Sequence, residues 1–277
     1  GLQDADRKRI VEILDEPEEE PVANPVPLLA PAKGEVTFEH VSFAYDDTPV
    51  IRDFNVTVKP GQMVAIVGPT GAGKTTLINL LLRFYDVNGG RILVDGVDIR
   101  DMDREMLRSM FGMVLQDTWL FSGTIYDNIR YGNLDARKDQ VIDAAKMANV
   151  HHFIRTLPQG YNMVINEEGS NISQGEKQLL TIARAILKNP QIMILDEATS
   201  SVDTRLEKML QSAMYTVLKD RTSFVIAHRL STIRNADLIL VLKDGDIEEM
   251  GTHDGLMAKK GYYEQLYNSQ FAWSQAE

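Results

Sequence analysis

Apolar and polar side chains alternate with period two along "EVTFEHVSFAY" (residues 35–45), which predicts half-buried strands. Three later segments are near-continuous apolar runs: "MVAIVG" at 63–68, "QIMILDE" at 191–197 and "SFVIAH" at 223–228. Runs without alternation, separated by stretches of helical pattern, predict a parallel sheet covered on both faces. Each run ends in glycine or polar chemistry, and ligands of open parallel sheets bind beyond the carboxyl ends of the strands. Three strands therefore point at one crevice. The stretch 117–187, typified by "ARKDQVIDAAKMANVHHFIRTL", has helical spacing and predicts an inserted helical lobe. Near the end "LILVLKDGDIEEMG" predicts a hairpin turning at Asp244–Gly245, and "HDGLMAKKGYYEQLYNSQF" short closing helices.

Ahead of this domain the pattern changes. In "DADRKRIVEILDE" the apolar residues Ile10, Val11, Ile13 and Leu14 predict a short helix with one sticky face. It is followed by "EPEEEPVANPVPLLAPAKG", which holds five of the chain's ten prolines and a block of acids, a composition that reads as an extended linker. These features place a boundary near Gly34. Residues 1–34 are expected to be the remnant helix and linker of a preceding domain, and 35–277 one further domain. The absence of an initiator methionine fits an excised piece of something larger.

A polar segment, "EEGSNISQGEKQ" at 167–178, runs into the apolar stretch Leu179–Leu187. Ser173 with Glu176 three residues later reads as a capping box, in which hydroxyl and carboxylate each take an orphan amide of the first turn. A helix start is also an anion site, through its unpaired amides and its dipole.

Composition narrows the classes. A chain of 277 residues, 44% hydrophobic, can bury a substantial core. Its net charge of −11 argues against a nucleic-acid partner. Without cysteine there is neither a disulfide nor a thiolate metal site. No apolar run approaches the ~18 residues that span a bilayer.

The strongest chemical signal is "GPTGAGKTT", residues 68–76, a phosphate loop of the pattern G-x-x-x-x-G-K-[ST] set between an apolar strand and a helix. The loop runs through Gly68, Pro69, Thr70, Gly71, Ala72 and Gly73 to Thr76; its glycines Gly68, Gly71 and Gly73 let backbone amides approach phosphate, Lys74 supplies charge, and the Thr75 hydroxyl can hold Mg²⁺. Asp196 and Glu197 end the next apolar run. Beside a phosphate loop, Asp196 is the expected partner of Mg²⁺ and Glu197 the residue that orients and polarises an attacking water. His228, ending the third run, is a candidate for the γ-phosphate. With one phosphate loop present, a second anion-binding helix start at Ser173 is redundant in a monomer and has a use when two copies face each other.

The order "GPTGAGKT", "VLQD", "ISQGE", "IMILDEATSSVD", "IAHR" resembles the nucleotide-binding domain of ATP-binding cassette transporters over about residues 35–270. "FAYDDTPVI", "LLRFYDVNGGRILVDGVDIRDM" and "LQDTWLFSGTIYDNIRYG" are most similar to the exporter branch, in which a transmembrane domain precedes this one. The resemblance implies an α/β fold: a P-loop NTPase core with a mostly parallel central sheet, an N-terminal antiparallel β subdomain and an inserted helical subdomain at about 117–187.

The resemblance also implies roles. Tyr45 stacks on adenine. Gln116 senses Mg²⁺ and the attacking water and links to the membrane domain. Ser173, Gln174, Gly175 and Glu176 form the signature that meets ATP held by an opposite subunit. Asp203 lies at the dimer seam, and His228 is the switch histidine. His151 and His152 match no functional position and read as helix surface. The implied partners are a second nucleotide-binding domain and the transmembrane domain of the same transporter, with no nucleic acid. The implied location is the cytoplasmic face of the membrane. Two ATP molecules sandwiched between two domains would drive closure, and hydrolysis would release it.

The signature departs from the family's usual Leu-Ser-Gly-Gly-Gln. Here Gln174 stands at a glycine position, and Glu176 brings negative charge within a turn of the expected phosphate. Two readings stay open: a heterodimer in which this chain lends an atypical signature to its partner, and a homodimer that tolerates the change. A regulatory module that binds ATP without hydrolysing it is opposed by Glu197 and His228. A DNA-repair or chromosome-organising ATPase is opposed by the acidic balance and by the absence of sustained heptads between Lys74 and Asp196.

Overall fold

The computed structural model describes residues 4–27, 31–166, 170–197 and 203–270, so "EEG" at 167–169 and "ATSSV" at 198–202 of the motifs above lie outside the described residues. The chain opens with α1 (Asp4–Leu14), then β1 (Val36–Ala44), β2 (Pro49–Val58), β3 (Met63–Val67), α2 (Lys74–Leu81), β4 (Gly89–Val94), β5 (Val97–Asp98), α3 (Arg104–Ser109) and β6 (Phe111–Val114). Next come β7 (Gly123–Thr124), α4 (Ile125–Arg130), α5 (Lys138–Met147), α6 (His151–Thr156), β8 (Val164–Ile165) and α7 (Gln174–Lys188). The chain continues through β9 (Ile192–Asp196), α8 (Thr204–Leu218), β10 (Thr222–Ile226), α9 (Leu230–Asn235), β11 (Leu238–Lys243), β12 (Asp246–Gly251), α10 (His253–Lys259) and α11 (Tyr262–Gln270).

The central sheet has the order β12-β11-β3-β10-β9-β6, parallel except for the edge strand β12, which pairs antiparallel with β11. Its near-continuous apolar strands serve two cores, because successive side chains leave opposite faces of a strand. Val64, Ile66, Ile192, Ile194, Phe224 and Ile226 pack with α2 and the antiparallel sheet. Ala65, Val67, Met193, Leu195 and Val225 pack with α7 and α8. The expected parallel sheet, buried on both faces, is thus what the apolar runs form.

The second sheet, β2-β1-β4-β5, is antiparallel and is the expected N-terminal β subdomain. In β1 the alternation slips by one residue: Val36 and Phe38 are buried, then Val41 and Phe43. His40 absorbs the slip with a left-handed backbone (φ 47) at a break in register with β2. A bulge there keeps both apolar pairs on the core face.

The helical lobe comprises α4, α5 and α6, capped by the two-stranded ribbon of β7 and β8. Periodicity does not predict this ribbon, whose strands are two residues long. Helix α7 joins lobe to core, burying Leu179, Leu180, Ile182 and Ala183 between them. Its Arg184 donates to the carbonyls of Trp119 (2.9 Å) and Asn128 (2.9 Å) and to Asn128 Oδ1 (3.1 Å). The fully buried Asn128 in turn gives its amide to Phe121 O and Thr124 O, each at 3.0 Å, so no polar group of this hub is stranded.

The acidic segment is extended as expected, and it lies against the domain. Glu19 reaches Arg108 (3.2 Å) and Arg104 (3.6 Å), and Val26 N donates to Asp101 O at 2.8 Å. At the boundary Asp95 accepts the amides of Lys33, Gly34 and Glu35 at 2.8, 3.3 and 2.9 Å. Among the described residues no helix is long and apolar enough to cross a membrane.

Candidate functional site

Strand β3 feeds straight into the phosphate loop, and the loop's shape depends on glycine. Gly73, the residue before α2, has φ 102, and a Cβ there would meet Ile51 Cδ1 at 2.8 Å. The loop is buttressed from the hairpin of β11 and β12. Gly245 N donates to Ala72 O at 3.2 Å, and at Gly245, with φ 82, the backbone of Val50 leaves no room for a side chain. Asp244 (φ 49) and Gly245 make the turn where it is expected. Lys74 curls back over the loop, its Nζ donating to Gly68 O at 2.5 Å. Thr75 is exposed at the loop's end. Thr76 is buried and bonds Tyr45 Oη at 3.1 Å.

Asp196 closes β9, which is separated from β3 by β10. Its Oδ1 is buried without a hydrogen-bond partner, and His228 Nε2 lies 3.8 Å from it. Burial pushes the Asp196 carboxyl above the ordinary range, against the charges of His228 and Lys74. Burial likewise pushes the Lys74 ammonium below its ordinary range, against the charge of Asp196. In both groups desolvation outweighs their attraction, so this pair is short of counter-charge. A phosphate chain with a divalent cation supplies both signs. The oxygen donors at hand, the Asp196 carboxylate and the Thr75 hydroxyl, suit Mg²⁺. Among the described residues no group of three or more imidazole, carboxylate or thiol side chains is placed to hold a metal ion by itself.

Glu197 lies differently from expectation. It is 2% exposed and turned onto the start of α9, where it accepts the amides of His228 (2.8 Å) and Arg229 (3.0 Å) and the Thr232 hydroxyl. A buried carboxylate takes the donors within reach, and those are at the end of β10. Adjacent acids thus have opposite situations: Asp196 has an unpartnered oxygen beside Lys74, and Glu197 is fully engaged elsewhere. Sequence reasoning also missed Thr232, whose only sequence signal is its place in "AHRLST" just after His228.

The helix start at Ser173 forms as predicted. Ser173 Oγ accepts from Glu176 N at 3.3 Å, and Glu176 Oε2 accepts from Ser173 N at 3.0 Å. Ser173 and Gln174 are exposed, whereas Gly175 is buried under the first turn. Gln174 Nε2 donates to Thr118 Oγ1 at 2.9 Å. Gln116, two residues past β6 on the same segment, is exposed.

Tyr45 is 48% exposed, with its hydroxyl pinned by Thr76 and Asn79 and its ring edge-on to Phe43 and Tyr85. Asp203 caps α8, its Oδ1 accepting Arg205 N and Leu206 N, each at 3.0 Å. His152 is surface, as expected. His151 is not: it is half-buried, with Nδ1 2.7 Å from Tyr161 Oη, because the chain past α6 folds the tyrosine back over it. The structure therefore gathers Lys74, Asp196 and His228 into one crevice, with Tyr45 and Thr75 at its edge. The Ser173–Glu176 group stands at the start of α7, the helix that joins the lobe to the core.

A strand, a glycine-built phosphate loop, a lysine over it and a carboxylate ending the parallel strand next but one define a nucleotide-binding α/β domain of the P-loop class. Residues 51–200 match the family model described as ABC transporter. The chain is 57% identical, over 95% of its length and 41% of the relative's, to a fatty acid ABC transporter ATP-binding/permease protein of Mycobacterium bovis. It is 52% identical, over 85% of its length and 39% of the relative's, to an ATP-dependent lipid A-core flippase of Syntrophus aciditrophicus. A solved bacterial Atm1-family ABC exporter with ATP bound superposes with a TM-score of 0.87 and 43% identity, over 96% of this chain and 47% of that one. The chain belongs to the ABC transporter family, as an ATP-binding domain of its ATPases. It spans about two fifths of the length of the curated relatives it matches.

Proposed function

We propose that this domain binds ATP at the phosphate loop and hydrolyses it as the motor of an exporter, closing on a second nucleotide-binding domain. The observation that carries the reading is the charge-poor pair Lys74 and Asp196 at the carboxyl ends of β3 and β9, with the buried Asp196 Oδ1 unpartnered. The Tyr45 ring offers a face for adenine. The loop amides from Gly68 to Thr76 and the Lys74 ammonium meet the phosphates. Thr75, Asp196 and Gln116 would hold Mg²⁺, which supplies neutralising charge to the phosphate oxygens.

Water attacks the γ-phosphorus and the bond to the ADP oxygen breaks. Glu197, once clear of its present donors, orients and polarises that water, and His228 binds the γ-phosphate. Ser173, Gln174, Gly175 and Glu176 belong to the partner's nucleotide and Asp203 to the seam between domains. Each nucleotide then bridges two subunits, so its binding energy becomes closure energy.

A transmembrane domain is the second partner and sets the domain at the cytoplasmic face of a membrane. Exposed Trp119, Tyr131 and Leu134 support this reading, an apolar patch on the segment that Arg184 fixes to α7. Glu197→Gln in the assembled ATPase tests the motor: ATP binding persists and steady-state phosphate release falls by about 10² or more. Undiminished release overturns the role of Glu197.

A second reading, a heterodimer in which this chain weakens one composite site, is favoured by Glu176. Its carboxylate is fixed in the first turn of α7, where a partner's phosphate would arrive.

A further inference from the structure

Glu197 is held by donors on a segment that also carries the switch histidine. Its Oε2 accepts the amides of His228 and Arg229 at 2.8 and 3.0 Å, and its Oε1 accepts the Thr232 hydroxyl from the first turn of α9. These bonds saturate the inward lone pairs of a carboxylate that is 2% exposed. The direction is as informative as the burial. Glu197 and Thr232 line a cavity of about 220 Å³ between α8 and α9, together with Met63, Met214 and Leu218. No phosphate-loop residue lines it. The neighbouring Asp196, by contrast, turns to Lys74 and His228.

We propose that Thr232 is a positioning residue that holds Glu197 in a retracted, hydrolysis-incompetent state, and that engagement of His228 releases it. The inference rests on the reading of Glu197 as the water-activating group. One residue supplies both halves of the switch. The His228 ring faces Asp196 at 3.8 Å, while its own backbone amide holds the Glu197 carboxylate. A phosphate that draws the His228 ring toward it displaces the amide and removes one of the three donors. Arg229 extends the effect, since its guanidinium pairs with Glu207 of α8 at 3.3 Å and ties the segment to the helix that follows the dimer seam. Only the fraction of molecules with Glu197 released turns over, so the observed rate is the intrinsic rate multiplied by that fraction.

The test is steady-state ATP hydrolysis by the assembled ATPase carrying Thr232→Val, which keeps the shape of the side chain and removes the donor. The expected result is a rise in kcat of about tenfold with KM for ATP unchanged, the factor that one hydrogen bond to a charged group makes in a population. Thr232→Ser, which restores a hydroxyl, returns the rate to that of the wild type. Thr232→Ala serves the same comparison where valine does not pack. A kcat that is unchanged or lowered in both Thr232→Val and Thr232→Ala overturns the proposal. So does a rise that persists when Glu197→Gln is added, because the effect then does not run through the glutamate. Failure of the underlying reading looks different: Glu197→Gln alone would then retain turnover whatever stands at position 232.

Discussion

Gln174 donates its side-chain amide to Thr118 Oγ1 over 2.9 Å, joining the first turn of α7 to the segment that leaves β6 past Gln116. The residue that departs from the family's usual glycine therefore has a partner of its own. Removing either side of this surface bond is expected to cost under ~1 kcal/mol, because water replaces an exposed partner. A double-mutant cycle on Thr118→Ala and Gln174→Gly, read by urea unfolding, should give a coupling of ~0.5–1 kcal/mol. Strict additivity would show that the bond contributes nothing in solution.

Glu176 has two environments to satisfy. Glutamine at this position can still reach back to the Ser173 amide, so the capping box survives Glu176→Gln with a stability change within ~0.5 kcal/mol. The negative charge at the helix start is removed. If that start faces a partner's phosphate, KM for ATP in the assembled ATPase falls several-fold on relief of like-charge repulsion, about what ~1 kcal/mol makes. An unchanged KM and an unchanged rate would assign the glutamate to the cap alone.

Two histidines contribute to the response to acid between pH 7 and pH 5. Burial lowers His253, aided by the charge of Arg234, and burial lowers His151, aided by Lys146, Arg155 and His152. Their imidazoles bond Tyr263 Oη at 2.8 Å and Tyr161 Oη at 2.7 Å. A lowered folded pKa means that the unfolded chain binds more protons in the window below ~6.5, so stability falls as pH drops through that window. The midpoint of thermal unfolding should decline from pH 7 to pH 5, and His151→Gln with His253→Gln should flatten the decline. An equal slope in the double variant would assign the acid sensitivity to carboxylates.

What could be read from the sequence follows from how local each feature is. Asp196 and His228 were legible because each ends an apolar run, and a parallel sheet must bring such ends together, whereas Lys74 was legible from the phosphate-loop pattern that follows such a run. The Ser173–Glu176 cap was legible because its partners are three residues apart. The orientation of Glu197 was not, since it depends on a hydroxyl 35 residues further on, presented by the turn into α9. The Asn128–Arg184 hub escaped for the same reason. An arginine within an apolar helix reads as a solvent-facing break, and only the folded lobe shows that its fork meets two carbonyls and an amide oxygen. His151 was read as surface because nothing local signals that Tyr161 returns over it.

The Asp95 carboxylate gathers three successive amides at the point where the linker becomes β1. Mechanically it is a cleat. A pull on the chain upstream loads first the ion pairs of Glu19 and the bond from Val26, and then this knot at the tip of the turn after β4. Freeing the chain ahead of β1 therefore means breaking three bonds to one carboxylate, and Asp95 follows directly on β4, the strand that pairs with β1.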